Sequence, residues 1–249
     1  MARVPGRLTK VYVDEFDYSG RISAVELPID VNLPKVTCFG DSGGDEFVEA
    51  MHSSQITQNG FFDSVVADTN IDGEMWADVL SGAQHLVGVY PGNSALQTAI
   101  GYELEAEVSG QPRTVEVAGA ILLNVTWQGE GAVVRSTVLA NGAVTASGVV
   151  ASSAQNIGVT AAGERFVVVI RCLAFSGTTL TVDIEESSDN GSGDAYALIS
   201  GLQKVITAVG SWRLTTVAAT EAWKRVNITA FTGTTMTLLI VVGKEQGVS

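Results

Sequence analysis

Charge is scarce in this chain, and positive charge is scarcest. Charged residues make up 16% of the 249 residues, against roughly 25% in an average soluble protein. The balance is 14 Lys+Arg against 27 Asp+Glu, a formal net charge of −13. A protein that wraps nucleic acid neutralises phosphates with clustered lysine and arginine. This chain would instead repel that backbone. Acidity also keeps proteins dispersed, and salt-adapted surfaces share it, so composition leaves these open beside a conduit past which DNA slides without adhering. Hydrophobic residues at 46% exclude a disordered chain. With so few charges among many Val, Thr, Ala and Gly, much of the surface needs a cover, and self-association is the simplest one.

Cysteine is nearly absent as well. Cys38 and Cys172 stand in no Cys-x-x-Cys or Cys/His pattern. That excludes a zinc signature and a disulfide framework, and it fits a reducing cytoplasm. Met1 to Lys10 carries Arg3, Arg7 and Lys10, but no apolar h-region follows, and no run of ~18 apolar residues occurs. No signal peptide or membrane span is expected, so the glycosylation patterns at Asn124, Asn190 and Asn227 read as chance matches.

Histidine is limited to His52 and His85, which decides the one catalytic motif in the chain. Gly40-Asp41-Ser42-Gly43-Gly44 spells the sequence around the nucleophile of trypsin-like proteases. That chemistry needs a histidine to take the serine proton and a carboxylate to orient the histidine. In that family both precede the serine; here both histidines follow Ser42. A lipase class with Gly-Asp-Ser near its start places a histidine near its end, and none occurs after His85. No phosphate-cradling glycine loop is present. The chain is expected to be no enzyme and to carry no cofactor. Asp183, Glu185, Glu186 and Asp189 offer oxygens to a hard cation, but a solvated strand end is the plainer reading.

What is abundant is the pattern of short strands separated by turns. Val11–Val13, Ile22–Val31, Leu86–Tyr90, Gly101–Val108, Val115–Trp127 and Val133–Ala140 read as strands. Asn141-Gly142 reads as a two-residue hairpin turn. Val144 to Gly163 reads as a flexible connection or a weakly specified strand. Phe166–Phe175, Leu180–Glu186, Trp212–Val217, Arg225–Phe231 and Met236–Val242 complete the set. Ala174-Phe-Ser-Gly-Thr-Thr-Leu-Thr181 recurs 56 positions later (230 − 174) as Ala230-Phe-Thr-Gly-Thr-Thr-Met-Thr237. Each copy reads as a strand end, a Gly-Thr-Thr turn and a new strand, two hairpins of one sandwich. One helix is expected at Asp72–Leu80, where Met75, Trp76, Val79 and Leu80 make an apolar face. Leu33 to Gly60, with its glycines and its cluster of Asp41, Asp45, Glu46 and Glu49, reads as a long loop, with a short helical turn at Phe47–Met51; loops of that length are usually functional or mobile. Trp76, Trp127, Trp212 and Trp223 do not cluster in sequence and read as core.

The order of these elements resembles the major tail tube proteins of siphovirus-type tailed phages. The resemblance runs through Lys10-Val-Tyr-Val-Asp-Glu-Phe-Asp-Tyr-Ser-Gly20, Ile22–Val31, Val36–Asp41, Gln55–Asp63 and Met75-Trp76. It continues in Gly163–Phe166, Ala174–Thr181, Ser187-Ser188-Asp189 and Ile228–Gly243. It implies an all-β fold with one short helix: a tail-tube-type β-sandwich or barrel forming hexameric rings, with a β-sandwich-like C-terminal half. The implied division is a tube core at 1–150, with an inter-ring loop at 33–60, and a second β-sandwich half at 151–249. The resemblance implies a virion tail protein assembled in the host cytoplasm. Its partners would be identical copies stacked as rings, with tape measure, tail terminator and distal tail proteins beside them; DNA would cross the lumen without specific binding. Asp41, Asp45, Glu46, Phe47 and Glu49 match the stacking loop in position. A capsid decoration protein, or a carbohydrate-binding β-sandwich on the virion surface, is the alternative.

Overall fold

The computed structural model describes residues 8–30, 35–36, 46–47, 53–61, 81–92, 98–114 and 121–245. Their regular structure is almost entirely β-strand, and the ladders are antiparallel. In chain order the strands are β1 (Lys10–Val13), β2 (Phe16–Asp17), β3 (Ile22–Glu26), β4 (Ile29–Asp30), β5 (Lys35–Val36), β6 (Glu46–Phe47), β7 (Ser53–Phe61), β8 (Gln84–Tyr90) and β9 (Ile100–Gly110). There follow β10 (Arg113–Thr114), β11 (Leu122–Gly129), β12 (Val134–Val144), β13 (Gly148–Val149), β14 (Gln155–Asn156), β15 (Arg165–Ser187), β16 (Ala197–Ile206), β17 (Gly210–Thr216) and β18 (Trp223–Glu245). The helix expected at 72–80 lies outside the described residues, as do Asp41, Asp45 and Glu49.

The chain forms two compact units, both assembled from separated stretches. The first holds Met1–Gly20, His85–Glu103 and Val134–Ser249; the second holds Arg21–Gln84 and Leu104–Val133. The boundary expected at 150/151 falls inside the first unit, because β12 and β13 are ladder partners of β18.

In the second unit, β3, β7, β11 and β9 lie side by side in that order. The stretch 33–60 is therefore not one loop, and Phe47 stands in β6, which pairs with β5, rather than opening a helical turn. Ser53 to Phe61 is strand, held between β3 and β11. Its buried positions are Ser54, Ile56, Gln58 and Gly60. Only one of the four is apolar, so the alternation that marks a half-buried strand was hidden.

The first unit is organised by two strands of 23 residues, β15 and β18, paired along their whole length. The two Gly-Thr-Thr segments are not turns. They face each other across this pair, with Phe175 opposite Met236, Gly177 opposite Gly233 and Leu180 opposite Phe231. Register shifts at Ser176–Thr179 mark a bend in the ladder there, as bulges do. A Cβ on Gly177 would lie 2.5 Å from the Thr232 carbonyl oxygen and 2.8 Å from Gly233 Cα; one on Gly233 would lie 2.5 Å from the Ser176 carbonyl oxygen. The residues are glycines because two backbones touch.

The outer chains follow the same bend. β17 lies along Phe166–Cys172 and β16 along Leu180–Glu186 of β15. On the other side β12 lies along Met236–Lys244 of β18, with β13 and β14 along Ile228–Trp223. Asn141-Gly142 is accordingly no turn: it pairs with Leu239 and Leu238 inside β12. A long partner strand overrides a local turn preference. Both arms of β15 send alternate residues into one core, Phe166, Val168, Ile170 and Cys172 from one arm and Leu180, Val182 and Ile184 from the other. Each such side chain contributes about 1.5–3 kcal/mol on burial. The other face of the first arm, Val167 and Val169, packs with Tyr12, Leu86, Tyr90 and Val134.

Candidate functional site

The second unit has one face with an unusual chemistry. Directly opposed residues of neighbouring strands point to the same side of a sheet. Thr57 of β7 is opposite Glu26 and Thr126, Asn59 is opposite Ala24 and Asn124, and Gln55 is opposite Gln128. Gln128 is in turn opposite Glu107 of β9, with Glu105 two residues earlier on the same side. Burial alternates accordingly: Ile56, Leu104, Ala106, Leu123, Val125 and Trp127 are buried, while the amides, hydroxyls and carboxylates stay accessible. Hydrogen bonds tie the strands together: Gln128 donates to the Ser54 carbonyl at 3.2 Å, Ser109 to the Thr126 carbonyl at 3.2 Å and Ser23 to the Asn59 carbonyl at 3.0 Å. No lysine or arginine occurs in β3, β7, β9 or β11.

Within these four strands the face thus offers uncharged polar groups plus Glu26, Glu105 and Glu107, and no lysine or arginine to receive a phosphate. Sequence reading did not single out these three glutamates. The signal was a period of two: Glu105-x-Glu107, Gln55-x-Thr57-x-Asn59 and Asn124-x-Thr126-x-Gln128 each put polar residues on one side. Of the residues expected to make the stacking loop, Glu46 and Phe47 form β6, paired with β5. The others lie outside the described residues.

The acidic stretch after Val182 is not a solvated strand end. Asp183 and Glu185 are only 6% and 9% exposed. Asp183 accepts from Gln203 at 2.8 Å; Glu185 accepts from Arg225 at 2.6 Å and Asn227 at 2.8 Å. Asp189 accepts the amides of Ser192 and Asp194 at 3.0 and 3.2 Å, closing the loop before β16. Protein donors occupy these oxygens, and among the described residues no three metal-ligating side chains converge. Trp127 is fully buried, as expected for a core tryptophan. Trp212 carries Lys204 Nζ 4.9 Å from its ring centroid.

In the first unit Arg171, with no exposed surface, sits in a dense hydrogen-bond network. Its Nε donates to the Asp14 carbonyl at 2.8 Å. Nη1 donates to the Tyr90 hydroxyl at 2.8 Å and to Glu103 at 3.2 Å; Nη2 donates to Glu103 at 2.8 Å and to the Leu86 carbonyl at 2.9 Å. All five N–H groups of the guanidinium are used. Tyr90 also donates to Glu103. Burial works against the Arg171 charge, but Glu103 and Tyr90 more than restore it, and its pKa is raised. Burial pushes the Tyr90 hydroxyl well above its ordinary range, against the pull of Arg171.

Beside this network, Asp14 receives the His85 ring nitrogen at 2.7 Å, the Leu86 amide at 2.9 Å and the Ser211 hydroxyl at 2.9 Å. Burial alone would raise its carboxyl, but these hydrogen bonds outweigh burial and hold it below the usual carboxylate range. Ser211 donates to Asp14, not to His85, so this trio is not a relay in which histidine takes a serine proton. It pins the β1–β2 turn, where Asp14 sits at φ 49.

No family model matches the chain, and no curated protein matches it. Solved structures with similar chains include the virion of a native gene transfer agent particle, at 15% identity and a TM-score of 0.41, covering 54% of this chain and 98% of that one. They also include the Dit protein of phage SPP1, described as a hub of the adsorption apparatus, at 8% identity and a TM-score of 0.39, covering 95% and 98%. A chain of the phage p2 baseplate matches at 9% identity and a TM-score of 0.34, covering 96% and 98%.

Proposed function

We propose that the chain is a non-enzymatic structural subunit of a viral tail, and that copies of it close into stacked rings whose channel is lined by the base-free face of the second unit. The single observation behind this reading is that face. Four strands contribute amides, hydroxyls and the carboxylates of Glu26, Glu105 and Glu107, without one lysine or arginine. Binding DNA through phosphates requires cations that displace counterions. A wall that lacks them while repelling phosphate lets a polyanion pass without a foothold.

The triple variant Glu26→Lys, Glu105→Lys, Glu107→Lys tests this. Wild-type protein should give rings or tubes in negative-stain micrographs and no retention of duplex DNA in a gel-shift assay. The variant should retain DNA, with affinity falling steeply with salt, by about 0.9 in log–log slope per phosphate engaged. Salt-dependent DNA binding by the wild type, or a strictly monomeric wild type at high concentration, would sink the reading.

We assign ring stacking to the segment carrying Asp41, Asp45, Glu46, Phe47 and Glu49. Deleting residues 41–49 should leave single rings and abolish tubes, with unchanged circular dichroism. Tubes of normal length from the deletion variant would remove the segment from that role.

A further inference from the structure

Residues 134–245 repeat one pattern twice. Copy A is β12, β13, β14 and the long β15; copy B is β16, β17 and the long β18. The 56-residue step of the Gly-Thr-Thr echo carries the core of one long strand onto the other: Ile170 to Val226, Cys172 to Ile228, Leu180 to Met236, Val182 to Leu238 and Ile184 to Ile240, all in one cluster. The outer chains correspond too. Val144, opposite Met236, matches Ile206, opposite Leu180. Gly148, opposite Ile228 at φ 127, matches Gly210, opposite Cys172 at φ 153. Both outer ladders slip register at the corresponding place, opposite Val241/Ile240 of β18 and opposite Asp183/Glu185 of β15.

The copies are intertwined. β12, β13 and β14 pair with β18, β16 and β17 pair with β15, and β15 pairs with β18. No ladder of this sheet lies within one copy, so the pattern is that of a two-fold dimer joined into one chain. Such an arrangement has a hazard: β15 could pair with β15 of a second molecule, or β18 with β18.

On the core-facing side one pair departs from the symmetry, just as on the other face Arg225 opposite Glu185 stands where the step leads from Val169 opposite Val241. At one end of the core Val168 faces Val242. The same step leads to Lys224 and Glu186, which face each other at the opposite end. Lys224 has no exposed surface; its Nζ lies 3.6 Å from Glu186 Oε2 and 5.4 Å from the Phe166 ring centroid, and it donates to the Glu221 carbonyl. Glu186 accepts the Glu221 amide at 2.7 Å.

We propose that the Glu186–Lys224 pair is a specificity device that selects pairing of unlike copies over pairing of like copies from two molecules. Like pairing of β15 sets Val168 opposite Glu186 at both ends. Like pairing of β18 sets Lys224 opposite Val242 at both ends. Either buries two charges without a partner, which is strongly destabilising. Unlike pairing alone matches valine with valine and carboxylate with ammonium. Fixing which strands pair is the best-attested use of a buried polar group.

The test is the cycle Glu186→Val, Lys224→Val and the double variant, which installs the valine pair of the opposite end. Each single variant should lower the Tm by roughly 10 °C. The double variant should recover to the wild-type Tm or exceed it. A Thr178→Cys substitution at the middle of β15 reads out like pairing, because two β15 strands in register bring these cysteines within a residue of each other. After refolding under oxidising conditions, interchain cross-links should be several-fold more abundant in the double-variant background than in the wild-type background. A double variant no more stable than the weaker single, or equal cross-linking in both backgrounds, overturns the proposal.

Discussion

Replacing Arg171 with methionine is expected to lower the unfolding free energy by about 3–5 kcal/mol, the range found when one partner of a buried ion pair is removed. The replacement fills similar volume, so little of the loss comes from packing. The loss comes from what remains. Glu103, with a side chain 4% exposed, keeps a carboxylate in the core with only the Tyr90 hydroxyl beside it. The Asp14 carbonyl loses the Arg171 donor as well, while the Leu86 carbonyl loses one donor and keeps the Asp14 amide at 3.0 Å. A second substitution, Glu103→Leu, made on top of Arg171→Met should recover most of the deficit, since an apolar replacement of a whole pair is often neutral or better. Urea unfolding of the wild type, the single variant and the double variant measures this. A loss under about 1 kcal/mol for Arg171→Met would mean that the network is not held as drawn.

The crossing of β15 and β18 gives the second large effect. Gly177→Ala and Gly233→Ala should each cost about 2–4 kcal/mol, because each adds a methyl group against backbone rather than against a side chain that can swing away. Beside the backbone atoms, Met236 Cε lies 2.7 Å from the position of a Gly177 Cβ. The double variant should cost less than the sum, since the first methyl already parts the strands that the second would part. Gly20→Ala is the control; nothing lies within 4 Å of its added Cβ, and a change under about 0.5 kcal/mol is expected. If the control and the crossing variants unfold at the same urea concentration, the two backbones are further apart than described.

These predictions rest on features that the sequence disclosed unevenly. The alternation of apolar residues in Val11–Val13, Leu86–Tyr90, Gly101–Val108 and the last third disclosed an all-β chain, and those segments are strands. The errors share one physical origin, the partner strand. Gly-Thr-Thr and Asn-Gly are good turn formers locally, yet both stay in strand because a partner strand bonds across them, β15 against β18 for the first and β18 against β12 for the second. The echo at 174 and 230 signalled not two hairpins but the two sides of one crossing. Ser54, Gln58 and Gly60 hide a strand because its inner face is polar. The net charge of −13 did not show which acids share a face; that follows only from the register that aligns Glu26, Thr57 and Thr126 and sets Gln128 beside Glu107.

The interleaving of the two copies also sets a timetable for synthesis. β15 leaves the ribosome well before β18, whose first residue follows 58 positions later (223 − 165). At roughly 5–20 residues per second that is a wait of about 3–12 s. Throughout it, Phe166-Val-Val-Val-Ile170 has no β18 to lie against, and a run so rich in β-branched residues is a ready template for aggregation. Yield of soluble protein should therefore rise when holdase chaperones are co-expressed, because they shelter such a run until its partner emerges.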